Sequence, residues 1–136
     1  IAAGVPMVSP SNTANAFTDY VDAGLYFRTA PPDVMQARAL AEVVVADGNS
    51  KVAIVAIDDT YGLDLAASIT TELVALGLAE ADISVGVYAD EAGVLTAVEA
   101  IAAAAPDAVL FFGFDETIDI VRLLAFAGLV PTPPTP

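Results

Sequence analysis

Lys51-Val52-Ala53-Ile54-Val55-Ala56-Ile57-Asp58-Asp59-Thr60-Tyr61-Gly62 is the stretch that decides the fold. Its apolar, β-prone run has no polar alternation, which fits a strand covered on both faces, as in a parallel sheet. The run stops at two acids. Leu65, Ile69, Leu73 and Leu76 then recur at helical spacing, so the strand hands over to a helix. The same change of period repeats downstream. Ile83-Ser84-Val85-Gly86-Val87-Tyr88 and Ala108-Val109-Leu110-Phe111-Phe112 read as a second and a third strand. Val94, Val98, Ile101 and Ala105 mark one following helix, and Ile118, Val121 and Leu124 the next. Upstream, Val34, Leu40, Val43 and Val44 mark a helix over about 33–47. Gly48, Gly77 and Gly128 stand where helices end, in the left-handed position that a Cβ disfavours.

The order is therefore α-β-α-β-α-β-α. With right-handed crossovers it predicts an α/β fold, a three-layer α/β/α sandwich on a mainly parallel sheet, with the central strands in the order second, first, third. The first 30 or so residues differ, being rich in Pro, Ser, Asn and Thr, with one short β-prone piece around Val5 to Val8. They read as an arm or a linker between lobes. The tail Pro131-Thr132-Pro133-Pro134-Thr135-Pro136 is expected to be extended.

Composition excludes several function classes. The chain has no cysteine and no histidine, so disulfide, thiol and imidazole chemistry are all absent. Eighteen acids against four bases give a net charge of −14, which repels phosphate backbones and anionic lipid. That excess fits a soluble extracellular face better than a salt-rich habitat. No apolar run approaches the length of a membrane helix, since Glu99 interrupts even the alanine-rich stretch before Pro106. Ile1-Ala2-Ala3-Gly4 lacks the basic region of a signal peptide, so in a secreted protein the leader is expected to have been removed already.

In an open α/β sheet, ligands gather beyond the carboxyl ends of the strands. Here those ends carry Asp58-Asp59-Thr60-Tyr61, Ala89-Asp90-Glu91 and Phe114-Asp115-Glu116. Tyr61 and Phe114 follow strands predicted to be neighbours, so both rings can line one wall of a cleft. The plainer alternative has Tyr61 packing over its own helix start and Phe114 closing the core. Ser9, Ser11 and Thr13 share parity, so an extended backbone would aim all three hydroxyls one way. With Thr13 capping a short helix over 14–20, the segment would suit a carboxylate; a plain turn and helix cap is the alternative. Arg28 is expected to pair with an acid, Asp33 or Asp58, in a structural role.

Asp58-Asp59 also invites comparison with a response-regulator receiver, whose acidic pair holds magnesium. That mechanism needs a later phosphoacceptor, which Asp115 could imitate, and a lysine near the domain's end. Lys51 lies at the wrong end of the first strand. No phosphate-binding glycine loop and no nucleophile elbow occurs. Neither a cofactor nor an enzymatic activity is expected.

Ser9-Pro10-Ser11-Asn12-Thr13, Tyr26-Phe27-Arg28-Thr29 with Asp33, Gln36 with Ala37 and Ala41, the strand ending in Asp58-Asp59-Thr60-Tyr61-Gly62, Pro106-Asp107-Ala108-Val109 and Gly113-Phe114 follow one another in a recognisable order. Together they resemble the type I periplasmic binding proteins, the branched-chain amino-acid and amide receptors of ABC transporters. The resemblance covers nearly the whole chain up to Gly128. It implies two flavodoxin-like, Rossmann-like lobes closing on a solute. Residues 1–32 would be the end of the first lobe and a hinge crossing, 33–130 the second-lobe domain, and 131–136 the tail. Ser11 and Thr13 would hold the ligand's carboxylate, while Tyr61 and Phe114 would line the ligand.

The acid for the ligand's ammonium group would lie beyond Pro136, and the first strands of the first lobe before Ile1, so the chain would be a fragment that binds weakly alone. Phe114, where a tyrosine is frequent, leaves the ligand open among amino acids, amides and aromatic acids. The implied setting is extracytoplasmic, periplasmic or on a cell-surface lipoprotein, with an ABC transporter permease as partner. A sensory domain of a receptor or kinase is the alternative, and a homodimer through the fragment's exposed sheet edge is a further expectation.

Overall fold

The computed structural model describes residues 2–129. The expectation of an extended proline tail falls on 131–136, outside the described residues. Two short parallel strands, β1 (Met7–Ser9) and β2 (Tyr26–Arg28), pair with Met7 opposite Tyr26 and Ser9 opposite Arg28. A 3-10 turn, Asn15–Phe17, lies between them. Helix and strand then alternate through α1 (Asp33–Ala46), β3 (Val52–Ile57), α2 (Thr60–Ala75), β4 (Ile83–Tyr88), α3 (Glu91–Ala104), β5 (Ala108–Phe112) and α4 (Thr117–Phe126).

The second sheet has the order β4-β3-β5 with both pairings parallel. This is the predicted second-first-third arrangement. Strand β3 is central, and its residues from Val52 to Ala56 are fully buried. Alternation along it serves two cores at once. Val52, Ile54 and Ala56 pack with Ala37, Ala41 and Val44 of α1 and with Leu65, Ile69 and Leu73 of α2. Ala53 and Val55 face Val94, Val98 and Ile101 of α3 and Ile120 and Leu124 of α4. A strand wrapped on both sides has no wet face to advertise, so its sequence shows no alternation.

Helix ends follow local chemistry. The Asp59 carboxylate accepts from the Gly62 N–H at 2.8 Å and starts α2, and Asp90 does the same for α3 with Gly93 at 2.8 Å. Gly48, Gly77 and Gly128 have φ of 81°, 103° and 76°, the left-handed values expected of helix-ending glycines. The third helix departs from its predicted stripe at the end. It stops at Ala104, and Ala105, expected within the helix, is left-handed at φ 48° before Pro106, which has no N–H to extend it.

The N-terminal segment docks on the sandwich through the start of α1. Pro32 precedes the helix in an extended conformation with no side-chain cap. The free N–H groups are taken from outside the helix. Asp33 donates to the Thr13 carbonyl at 2.9 Å and Val34 to Asn15 Oδ1 at 3.0 Å. At the opposite end of the sheet, the Asp107 carboxylate accepts from the Ser50 N–H at 3.1 Å, the Ser50 hydroxyl at 2.9 Å and the Lys51 N–H at 3.1 Å. That bracket joins the entries of β3 and β5.

Candidate functional site

Beyond the carboxyl ends of β3 and β5, the loops meet the N-terminal segment around a cleft of about 480 Å³. Ser11, Thr13, Tyr61 and Phe114 all line it, so the four residues singled out from sequence converge on one space. The Tyr61 and Phe114 rings lie 5.8 Å apart at an interplanar angle of 32° and form an aromatic wall. Phe114 is 58% exposed, so it flanks the opening and does not close the core.

The opposite wall is built differently from the expectation. The Ser9 hydroxyl accepts from the Asn12 N–H at 3.0 Å and the Ser11 N–H at 3.4 Å, which curls the chain into a turn just after β1. A serine side chain that competes for nearby N–H groups breaks an extended path, so the shared parity of Ser9, Ser11 and Thr13 does not survive. Thr13 caps no helix either. The expected helix over 14–20 is the single 3-10 turn Asn15–Phe17, preceded by Ala14 without a side-chain cap. The contribution of Thr13 to packing is its carbonyl, which accepts from Asp33 and from Arg28 Nη1 at 3.3 Å.

Arg28 is likewise corrected. It forms no ion pair with Asp33 or Asp58 among the described residues. Its guanidinium donates to the Ala14 carbonyl at 2.9 Å and to Thr18 Oγ1 at 2.7 Å as well as to Thr13. Five donors in a planar fork suit a cluster of neutral oxygens at a turn, and the 13–18 segment offers three.

Asp33 is the residue that the sequence reading misplaced. It is 1% exposed, it lines the cleft, and neither carboxyl oxygen has a hydrogen-bond partner among the described residues. A buried carboxyl without partners is costly, which sets Asp33 apart from the other acids of the chain. Its place in the Tyr26-Phe27-Arg28-Thr29 signature was visible in the sequence, whereas its burial was not.

A larger groove of about 690 Å³ opens between α3 and α4, along Val94, Leu95, Leu123 and Phe126. Its walls are mainly apolar, with Asp90, Glu91, Glu116 and Asp119 also among its lining. The smaller cleft joins an orphaned buried carboxyl to hydroxyls and an aromatic wall, and for that reason it is the candidate. No group of acids with metal-binding geometry occurs among the described residues.

Residues 2–133 match the family model described as periplasmic binding protein. The chain belongs to the periplasmic binding protein family. No curated protein matches it. Among solved structures, this family member is similar to an ABC transporter substrate-binding protein from Desulfitobacterium hafniense in complex with Leu. The TM-score is 0.75 at 23% identity, over 95% of this chain and 38% of the other. A second structure of an ABC transporter substrate-binding protein from that organism gives a TM-score of 0.71 at 22% identity, with the same coverage. An extracellular ligand-binding receptor from Verminephrobacter eiseniae gives 0.68 at 21% identity, over 77% of this chain and 30% of that one. These are likenesses of fold. The chain spans about 38% of the length of the first two structures. No helix among the described residues is long and apolar enough to cross a membrane.

Proposed function

We propose that this chain forms part of an extracytoplasmic solute-binding protein that delivers an amino acid or a related carboxylate to an ABC importer. The observation that carries the reading is the cleft itself, where Ser11, Thr13, Asp33, Tyr61 and Phe114 meet around one space. An amino acid offers three kinds of group, and the cleft matches each. The hydroxyls of Ser11 and Thr13 donate to the ligand's carboxylate. Asp33, buried beside the cleft, is assigned to the ammonium group in this reading. Tyr61 and Phe114 cover an apolar side chain. The leucine bound in the Desulfitobacterium hafniense structure supports this ligand class. Residues 1–32 then belong to one lobe and its crossing, and 33–130 to the other.

Calorimetric titration of the full-length protein with leucine, other amino acids, amides and aromatic acids tests the proposal. Saturable binding of an amino acid, lost in Asp33→Ala, is the expected result. Failure of the full-length protein to bind any of these compounds would overturn it.

A further inference from the structure

Tyr88, the last residue of β4, is hydrogen-bonded to both loops that carry the cleft's aromatic rings. Its carbonyl accepts from the Asp58 N–H at 2.7 Å, which ties it to the loop leading into Tyr61. Its hydroxyl donates to Glu116 Oε1 at 2.7 Å, in the loop that carries Phe114. The same carboxylate oxygen accepts from the Phe114 N–H at 3.0 Å. Thr117 Oγ1 donates to the Phe114 carbonyl at 2.6 Å, so both backbone polar groups of Phe114 are held. Gly113 completes the fit, because a Cβ there would collide with the Tyr88 hydroxyl.

Neither Tyr88 nor Glu116 lines the cleft. Tyr88 is 3% exposed and packs among the core residues on the α3 and α4 side of the sheet. Its oxygen therefore has a role that packing alone does not require, since a phenylalanine would fill the same core. The Phe114 N–H, followed by the Tyr88 hydroxyl, holds the Glu116 carboxyl below its ordinary range. Burial, then the bond to Glu116, pushes the Tyr88 hydroxyl above its own.

We infer that Tyr88 and Glu116 are positioning residues for the solute site, fixing Phe114 against Tyr61 and so setting the shape of the wall that meets the apolar part of the ligand. The inference rests on the reading of the cleft as the solute site. The Tyr88 backbone holds the loop leading into Tyr61 and its hydroxyl holds the loop of Phe114, so losing the hydroxyl frees Phe114 relative to Tyr61 without touching the ligand space.

The test uses Tyr88→Phe, Glu116→Ala and Glu116→Gln with two readouts. In the isotope-labelled chain, nuclear Overhauser contacts between the Tyr61 and Phe114 rings report their spacing without any ligand. In the full-length protein, calorimetry with L-leucine reports affinity. Tyr88→Phe should weaken the ring contacts and reduce leucine affinity roughly three- to tenfold, the effect of one net hydrogen bond, and Glu116→Ala, which removes two, should do at least as much. Glu116→Gln keeps a carbonyl oxygen for both donors and should restore both readouts. Ring contacts unchanged in Tyr88→Phe and Glu116→Ala, with only the melting temperature lowered, would overturn the inference. So would Glu116→Gln behaving like Glu116→Ala. If Glu116→Ala does not fold, Tyr88→Phe decides alone, since it removes a single oxygen. Absence of leucine binding in the unmodified protein would count against the solute reading, and the ring contacts would still decide this one.

Discussion

The backbone N–H of Asp33 donates to the Thr13 carbonyl at 2.9 Å, so the residue whose carboxyl is buried beside the cleft is also fastened to the segment that forms the cleft's other wall. That bond fixes the start of α1 against the segment, and Asp33 is 1% exposed there.

Asp33→Ala should therefore divide stability from binding. Removing two unsatisfied buried oxygens is expected to raise the unfolding free energy by about 1–3 kcal/mol, less a few tenths for the acid lost from the first helical turn. Amino-acid binding by the full-length protein should fall at the same time. Urea denaturation and calorimetry on the same variant check both signs, and a destabilised variant would show that the carboxyl has a partner in solution.

Arg28→Ala should cost about 1–3 kcal/mol, because charge-assisted bonds to Thr13, Ala14 and Thr18 are lost together. Arg28→Lys should recover little, since an ammonium group cannot reproduce the planar fork. Denaturant midpoints for the two variants, with the slope held constant, measure the difference.

Asp59→Ala removes the cap of α2 and should cost about 1 kcal/mol. Tyr61 lies in the first turn of that helix, so fraying there should loosen the aromatic wall as well. Hydrogen exchange at residues 60–63, compared with the middle of α2, resolves the local effect.

Asp107 governs a pH response. Bonds from Ser50, followed by Lys51, hold its carboxyl below the ordinary 3.8. A depressed value in the folded state means that its contribution to stability is present above 3.8 and is lost as pH falls through the lower folded value. Asp22 and Glu116 are depressed too and act with the same sign. The gap in stability between the unmodified chain and Asp107→Asn should accordingly be constant near neutrality and close below about pH 4. Thermal melts from pH 7 to pH 3 follow it, and a gap that widens in acid would refute the assignment.

The sandwich was legible because covering β3 on both faces imposes an uninterrupted apolar run, and the glycines after α1, α2 and α4 closed each helix where the period ended. Strand β2 was not legible. Three residues cannot display a period, and Tyr26–Arg28 is a strand only because β1 lies beside it. The wall formed by Ser11 and Thr13 was read as a location but not as a shape, since the turn at Ser9 depends on a side chain competing with the backbone. Asn15 capping α1 across 19 residues has no local signature. Arg28 and Asp33 were matched by charge, whereas the fold sends the guanidinium to two carbonyls and a hydroxyl and buries the carboxyl beside the cleft.

The Ser50–Asp107 bracket and the rings of Tyr61 and Phe114 occupy opposite poles of one short sheet. On the proposed reading of the cleft, substitutions that retune which guest is accepted can accumulate at one pole while the other keeps the strands in register. Such a division of labour would let a single scaffold diversify its preferences without repeatedly risking collapse.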